Sequence, residues 1–165
     1  MKEKVKKFIN TLEEYGDMKF QKVKLQMVKE TTAIYTAETI KTPLDIVTLI
    51  NKYEQYDLSP TEKMVLIGLN TKNQVNIYME VATGGVDNVN CNINDLFKPL
   101  LLANCTKFIL AHNHPSGDAT PSSNDKRITN QIKTASAILG LQFLDHIVIG
   151  DDCYSSIMSE MEVNK

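Results

Sequence analysis

TKFILAHNHPSGDATPSSND, residues 106–125, runs from an apolar strand through a polar, proline-bearing loop into the first turn of a helix. The stretch 106–111 has the continuous apolar character of a buried strand. His112 and His114 follow at i and i+2, and an extended chain sends such residues to one side. The two imidazoles can therefore bind a single ion. Pro115, Gly117 and Pro121 fold the chain back. Ser122 is a good helix N-cap, and Asp125, three residues on, shares its helix face. Two imidazoles, one carboxylate and an open fourth place are what a catalytic zinc needs. Such an ion lowers the pKa of water to about 7 and yields a nucleophile at neutral pH. Singly, His-x-His can be a surface feature and Ser-x-x-Asp a plain capping pattern. Their combination behind a buried strand favours zinc, one ion per chain, at His112, His114 and Asp125.

Working outward, residues 63–69 (KMVLIGL) read as a strand buried on both faces, and 74–82 (QVNIYMEVA) alternate. With Asn70–Asn73 as the turn, 62–82 is a β-hairpin. A loop over 84–94 precedes a helix at about 95–103. A long helix covers about 123–139, Gly140 ends it, and 141–149 (LQFLDHIVI) form a further strand. Upstream, Val5, Phe8, Ile9 and Leu12 are spaced as a helix over 2–15, and 20–28 alternate as a half-buried strand. Thr42 caps the next helix, with Pro43 in its first turn and Leu44, Val47, Leu49 and Ile50 as its apolar face. Met27, Met64 and Met79 fall on strand patterns and read as core. This order gives an α/β (α+β) class: a central mixed sheet flanked by helices. The expected division is a helix–strand–helix extension over 1–58 packed on the core, a domain over 59–158 and a tail over 159–165.

The 165 residues are 42% hydrophobic and 23% charged, an ordinary globular composition. The formal net charge of −2 excludes a strongly basic nucleic-acid coat. Residues 1–30 nevertheless carry eight Lys against five acids. Lys22, Lys24 and Lys29 form one charged strand face, read first as solvated and second as a nucleic-acid contact. No apolar run is long enough to span a membrane, and MKEKVKKFIN lacks the apolar core of a secretory signal. Cys91, Cys105 and Cys153 are far apart and form no CxxC, so free thiols in a reducing cytoplasm are expected, with Cys105 packed.

HNHPSGDATPSSND resembles the JAMM (JAB or MPN+) metalloprotease motif in its bacterial RadC-like form. LGLQFLDHIVIGDDCYSSI and TEKMVLIGLNTKNQV are similar to that family's closing strand and its first strand and turn. The resemblance covers residues 59–158 and implies a JAB/MPN-like fold with a cytidine-deaminase-like layout. It implies that His112, His114 and Asp125 bind zinc, that Glu62 takes a proton from the attacking water, and that Ser122 helps to hold the oxyanion. Glu80, in the second hairpin strand, is the alternative base. The implied reaction is hydrolysis of a peptide or isopeptide amide in an unidentified peptide or protein substrate. The other function implied is a DNA-repair or mobile-element accessory that binds protein or DNA without hydrolysis. In place of the family's helix-hairpin-helix region, residues 1–58 resemble the short stand-alone forms. Where the family has an Arg before a helix, this chain has Asn92–Asp95.

Two rivals fail on their residues. Zinc nucleoside deaminases need His-x-Glu and a later Pro-Cys-x-x-Cys. In HNH nucleases the three letters are spread over the fold rather than adjacent. His146 reads as a core histidine or as an outer partner of a ligand, and Asp118 as a solvated turn residue.

Overall fold

The computed structural model describes residues 24, 39–54, 56, 59–83 and 92–163. The helix expected over 2–15 and most of the strand expected over 20–28 lie outside them, as do Met27 and Cys91. The described elements are α1 (Pro43–Tyr53), β1 (Lys63–Leu69), β2 (Val75–Thr83), α2 (Ile93–Leu102), β3 (Lys107–Asn113), α3 (Ser123–Ile138), β4 (Gln142–Ile149), β5 (Tyr154–Ser156) and α4 (Ile157–Val163). The five strands form one sheet in the order β2-β1-β3-β4-β5. β1 is antiparallel to β2 and β3, β3 is parallel to β4, and β4 is antiparallel to β5. The sheet is mixed and carries helices on both sides, as the order of elements predicts.

β3 holds the centre, and the burial of its neighbours follows from their composition. Every residue of β1 from Met64 to Leu69 and of β3 from Phe108 to Asn113 is buried. On one face Val65, Ile67, Leu69, Ile109, Ala111, Ile147 and Ile149 pack with Ile46, Leu49 and Ile50 of α1. On the other, Met64, Leu66, Phe108, Leu110 and Phe143 pack with Leu96, Phe97 and Leu100 of α2 and Ile132 of α3. The Phe108 ring stacks on Phe143 at 4.8 Å and meets Phe97 edge-on at 5.8 Å. No helix among the described residues is long and apolar enough to cross a membrane.

Thr42 caps α1 through a reciprocal pair with Asp45, and Pro43 opens the helix, as read from the sequence. The buried face of α1 differs from the expected one. Ile46 is buried, whereas Leu44 is 56% exposed in the first turn. Leu44 lies two residues from Ile46 and so on a different side of the helix. Met79 is 36% exposed, not core, because β2 is an edge strand. α2 starts at Ile93, two residues earlier than expected, with Asn92 accepting from Asn94 N–H as its cap. β5 and α4 were not anticipated. Both are short; α4 buries Ile157, which packs with Val148 and Ala119. Its start is fixed by Asp145 Oδ1, which accepts from Met158 N.

Gly68 lies mid-strand because nothing larger fits. A Cβ there would stand 2.5 Å from Cys105 Sγ and 2.7 Å from Ile77 Cγ1. Overpacked cores lose stability through forced side-chain and backbone shifts. Gly68→Ala is therefore expected to lower unfolding stability by about 1–3 kcal/mol, seen as a lower urea midpoint at unchanged slope. An unchanged midpoint would show that the α2–β3 connection yields freely.

Candidate metal centre

The carboxyl end of β3 meets the amino end of α3, and both deliver polar side chains to one point. His112, Asp125 and Glu62 are buried, and His114 is partly so. Ligand atoms from these four residues all lie within 4.8 Å of one another. His112 comes from the last turn of the β3 ladder, opposite Met64, and is 0% exposed. His114 follows one pleat later and is fixed by Ile149 O, which accepts its backbone N–H. Gly117, at φ 81°, turns the chain away, and Gly117 O accepts from Asp151 N. Ser122 then caps α3, its Oγ accepting from Asp125 N at 3.1 Å. Asp125 Oδ2 in return accepts from Ser122 N at 2.8 Å and Ser122 Oγ at 2.6 Å. Glu62 stands immediately before β1.

The two imidazoles and the Asp125 carboxylate stand close together. His112 Nε2 and His114 Nε2 are 3.1 Å apart. Asp125 Oδ1 is 3.5 Å from His112 Nε2, and Oδ2 is 3.6 Å from His114 Nε2. Two ligands at 2.0–2.2 Å from a tetrahedral ion stand roughly 3.3–3.5 Å apart. The imidazole–imidazole and imidazole–carboxylate separations are close to that spacing, with Asp125 offering Oδ1 to His112 and Oδ2 to His114. Glu62 Oε1 lies further out, 4.0 Å from His112 Nε2. A bound metal requires ionised carboxylates and neutral imidazoles, and in that state the four groups would carry −2, which a divalent cation balances. Without one, burial of these groups is costly.

The ring nitrogens are pre-set for this task. His114 Nδ1 donates to Asp118 O at 2.7 Å, and a carbonyl can only accept. The Nε2 lone pair of neutral His114 therefore faces the centre. His112 Nδ1 lies 2.8 Å from His146 Nε2, and His146 Nδ1 lies 2.7 Å from Thr129 Oγ1. With its proton on Nδ1, His112 presents Nε2 to an ion. Burial, helped by the charge His112 would carry, pushes the His146 imidazole well below its ordinary range. Asp125 is held far below the usual carboxylate range. Burial works against this, but the bonds with His112, His114 and Ser122 outweigh it. The Asp125 contact chiefly raises His114.

The structure brings His112, His114, Asp125, Ser122 and Glu62 together. Glu80 stands apart, paired with Lys63 at 3.5 Å. Asp118 contributes its backbone oxygen to His114, while its carboxylate accepts from Thr120 N. Cys105 is buried and free, and Cys153 is exposed and free. Two residues were missed in the sequence. Thr129 is fully buried one helical turn after Asp125, and that i+4 spacing was a readable signal. Asn113, between the histidines, is 1% exposed.

A RadC-like JAB domain profile matches residues 40–163. The chain belongs to the RadC-like JAB domain family. Among curated relatives, this RadC-like domain is 43% identical over 99 residues to a UPF0758 protein of Carboxydothermus hydrogenoformans, covering 60% of this chain and 44% of that protein. It is 41% identical over 118 residues to a UPF0758 protein of Clostridium botulinum, covering 72% and 51%. A UPF0758 protein of Clostridium perfringens is 33% identical over 122 residues, covering 74% and 53%. The RadC-like chain thus spans about half the length of the curated relatives it matches.

Partners that orient a metal-binding histidine typically contribute 10–100-fold in affinity. Thr129→Val removes the hydroxyl that His146 Nδ1 meets and keeps the shape. It is expected to weaken zinc binding roughly tenfold in a chelator competition. Wild-type affinity in this variant would remove Thr129 from the support of His112.

Proposed function

We propose that this RadC-like domain is a zinc-dependent metallohydrolase, a metallopeptidase that cleaves a peptide or isopeptide amide bond. The observation that carries the reading is the position of Glu62. Its carboxylate is buried and faces His112 Nε2 from 4.0 Å, further out than the Asp125 carboxylate at 3.5 Å. A carboxylate there serves better as a base than as a ligand. A zinc ion held by His112, His114 and Asp125 would polarise a substrate carbonyl and lower the pKa of water to about 7.

The remaining work falls to the side chains. Glu62 takes the proton of the attacking water on its carboxylate and returns it to the leaving nitrogen. Amides need this second transfer, because an amide nitrogen leaves only as the protonated amine. Ser122 is the hydroxyl available to the developing oxyanion. In the resting site its proton is given to Asp125 Oδ2 at 2.6 Å, so a role at the oxyanion exchanges that bond for a new one. The amino end of α3 adds partial positive charge on the same side. The substrate is a peptide or protein, and no membrane component enters the reading.

Two measurements test it. Purified protein is expected to hold about one zinc per chain, and His112→Ala or Asp125→Ala to lose it. Cleavage of a peptide library by zinc-loaded protein is expected to fall by about 10²–10⁴-fold in Glu62→Gln, with zinc retained. Equal cleavage by both proteins would remove Glu62 from the mechanism. No cleavage by either, with tight binding to DNA or to a protein partner, would establish a non-hydrolytic accessory instead.

A further inference from the structure

His112 and His114 face α3, and strand alternation turns the residue between them to the opposite side of the sheet. Asn113 is 1% exposed there, and its carboxamide is fully used. Oδ1 accepts from Lys63 N at 2.9 Å. Nδ2 donates to Thr61 O at 3.1 Å and to Ser59 O at 3.4 Å. These partners are backbone groups on both sides of Glu62. The assignment of oxygen and nitrogen is fixed by chemistry, since an N–H needs an acceptor and carbonyls need donors.

The place of this contact matters. The β1–β3 ladder ends at the pair Met64↔His112. Beyond it, the chain carrying Glu62 has left the sheet. The Asn113 side chain takes over where backbone pairing stops and ties that segment to the strand bearing both histidines.

We propose that Asn113 is a positioning residue that holds the Glu62 carboxylate in register with the two imidazoles. Among side chains of this length, only a carboxamide donates and accepts at once without charge. Aspartate keeps the acceptor and the shape but supplies no amide donor. Alanine removes both. Neither change touches a metal ligand. The inference rests on the reading of Glu62 as the proton acceptor.

The test uses the full chain loaded with cobalt(II) as a spectroscopic stand-in for zinc. Wild type, Asn113→Ala, Asn113→Asp, Glu62→Gln and the double variant Glu62→Gln/Asn113→Ala are compared. Zinc affinity in both Asn113 variants is expected to stay within about threefold of wild type, well short of the 10–100-fold losses at partners of ligands. The pH midpoint of the cobalt absorption is expected to move in Glu62→Gln. It is expected to move in the same direction, by about half a pH unit or more, in Asn113→Ala, the variant that adds no charge. The double variant should move no further than Glu62→Gln alone, because the two residues act as one unit. Amide exchange at Lys63 should quicken in Asn113→Ala. Asn113→Ala with a wild-type midpoint, beside a shifted Glu62→Gln, would make Asn113 a packing residue and overturn the proposal. Loss of zinc by the Asn113 variants would overturn it too, by tying Asn113 to the histidines. An unmoved midpoint in Glu62→Gln would overturn the reading of Glu62, and this inference with it.

Discussion

The centre depends on one carboxylate that serves two structures at once. Asp125 completes the capping box of α3 through Ser122, and the same group faces two imidazoles. Its Oδ2 is pinned by the Ser122 backbone and hydroxyl, which fixes the plane in which Oδ1 approaches His112. The helix start, the loop and the end of β3 must therefore agree to within a fraction of a hydrogen bond. Gly150 enforces this agreement from the far side. A Cβ at Gly150 would strike Gly117 O and come within 2.8 Å of Ala119 N. The returning loop can pack against the end of β4 only because that position has no side chain.

The same capping pattern occurs at α1, and the contrast separates a cap from a ligand. Thr42 and Asp45 make the same reciprocal bonds, with Asp45 Oδ2 accepting from Lys41 N and Thr42 N. There the pair faces solvent, and no histidine approaches. At α3 the pair sits beneath a buried strand end. At α3 the capping pair and the approach of Asp125 to two imidazoles coexist, so a cap does not exclude a place beside a metal. Apolar context decides: four consecutive buried residues, Phe108 to Ala111, lead into His112, while α1 follows exposed Lys41 and Thr42.

Most of the fold was legible because its strands are either continuously apolar or cleanly alternating. The hairpin over 62–82 and the β3–α3–β4 unit follow from that pattern and from turn residues. The errors share a cause. The sequence pattern puts Leu44, at the first turn of α1, toward the core, whereas the buried side of the helix is the one that carries Ile46. Met79 was read as buried because strand periodicity cannot tell an edge strand from a central one. β5 and α4 fall below the length at which periodicity speaks, with three and seven residues. Of the site, the histidines, Ser122 and Asp125 were legible from spacing. Glu62 required the family resemblance, because it reaches the centre through strand pairing between residues 50 apart. Asn113 was hidden by its position, since reading His-x-His for its outer letters leaves the middle one unexamined.

His146 shows how the fold limits the ligand set. It is the third histidine of the chain, fully buried, and 2.8 Å from a ligand. Proximity alone would nominate it as a further ligand. Both of its ring nitrogens are already engaged, Nε2 with His112 and Nδ1 with Thr129. A neutral imidazole has one donor and one acceptor, and here both are consumed. Burial keeps it neutral, so it adds no positive charge to compete with a cation. His146 therefore acts on the centre only through His112, its Nε2 accepting the hydrogen bond from His112 Nδ1–H and so fixing that ring. An ion held as proposed would then have three protein ligands, with Glu62 standing further out at 4.0 Å from His112 Nε2. That count separates a closed structural site, which takes four protein ligands, from one that leaves a position open for chemistry.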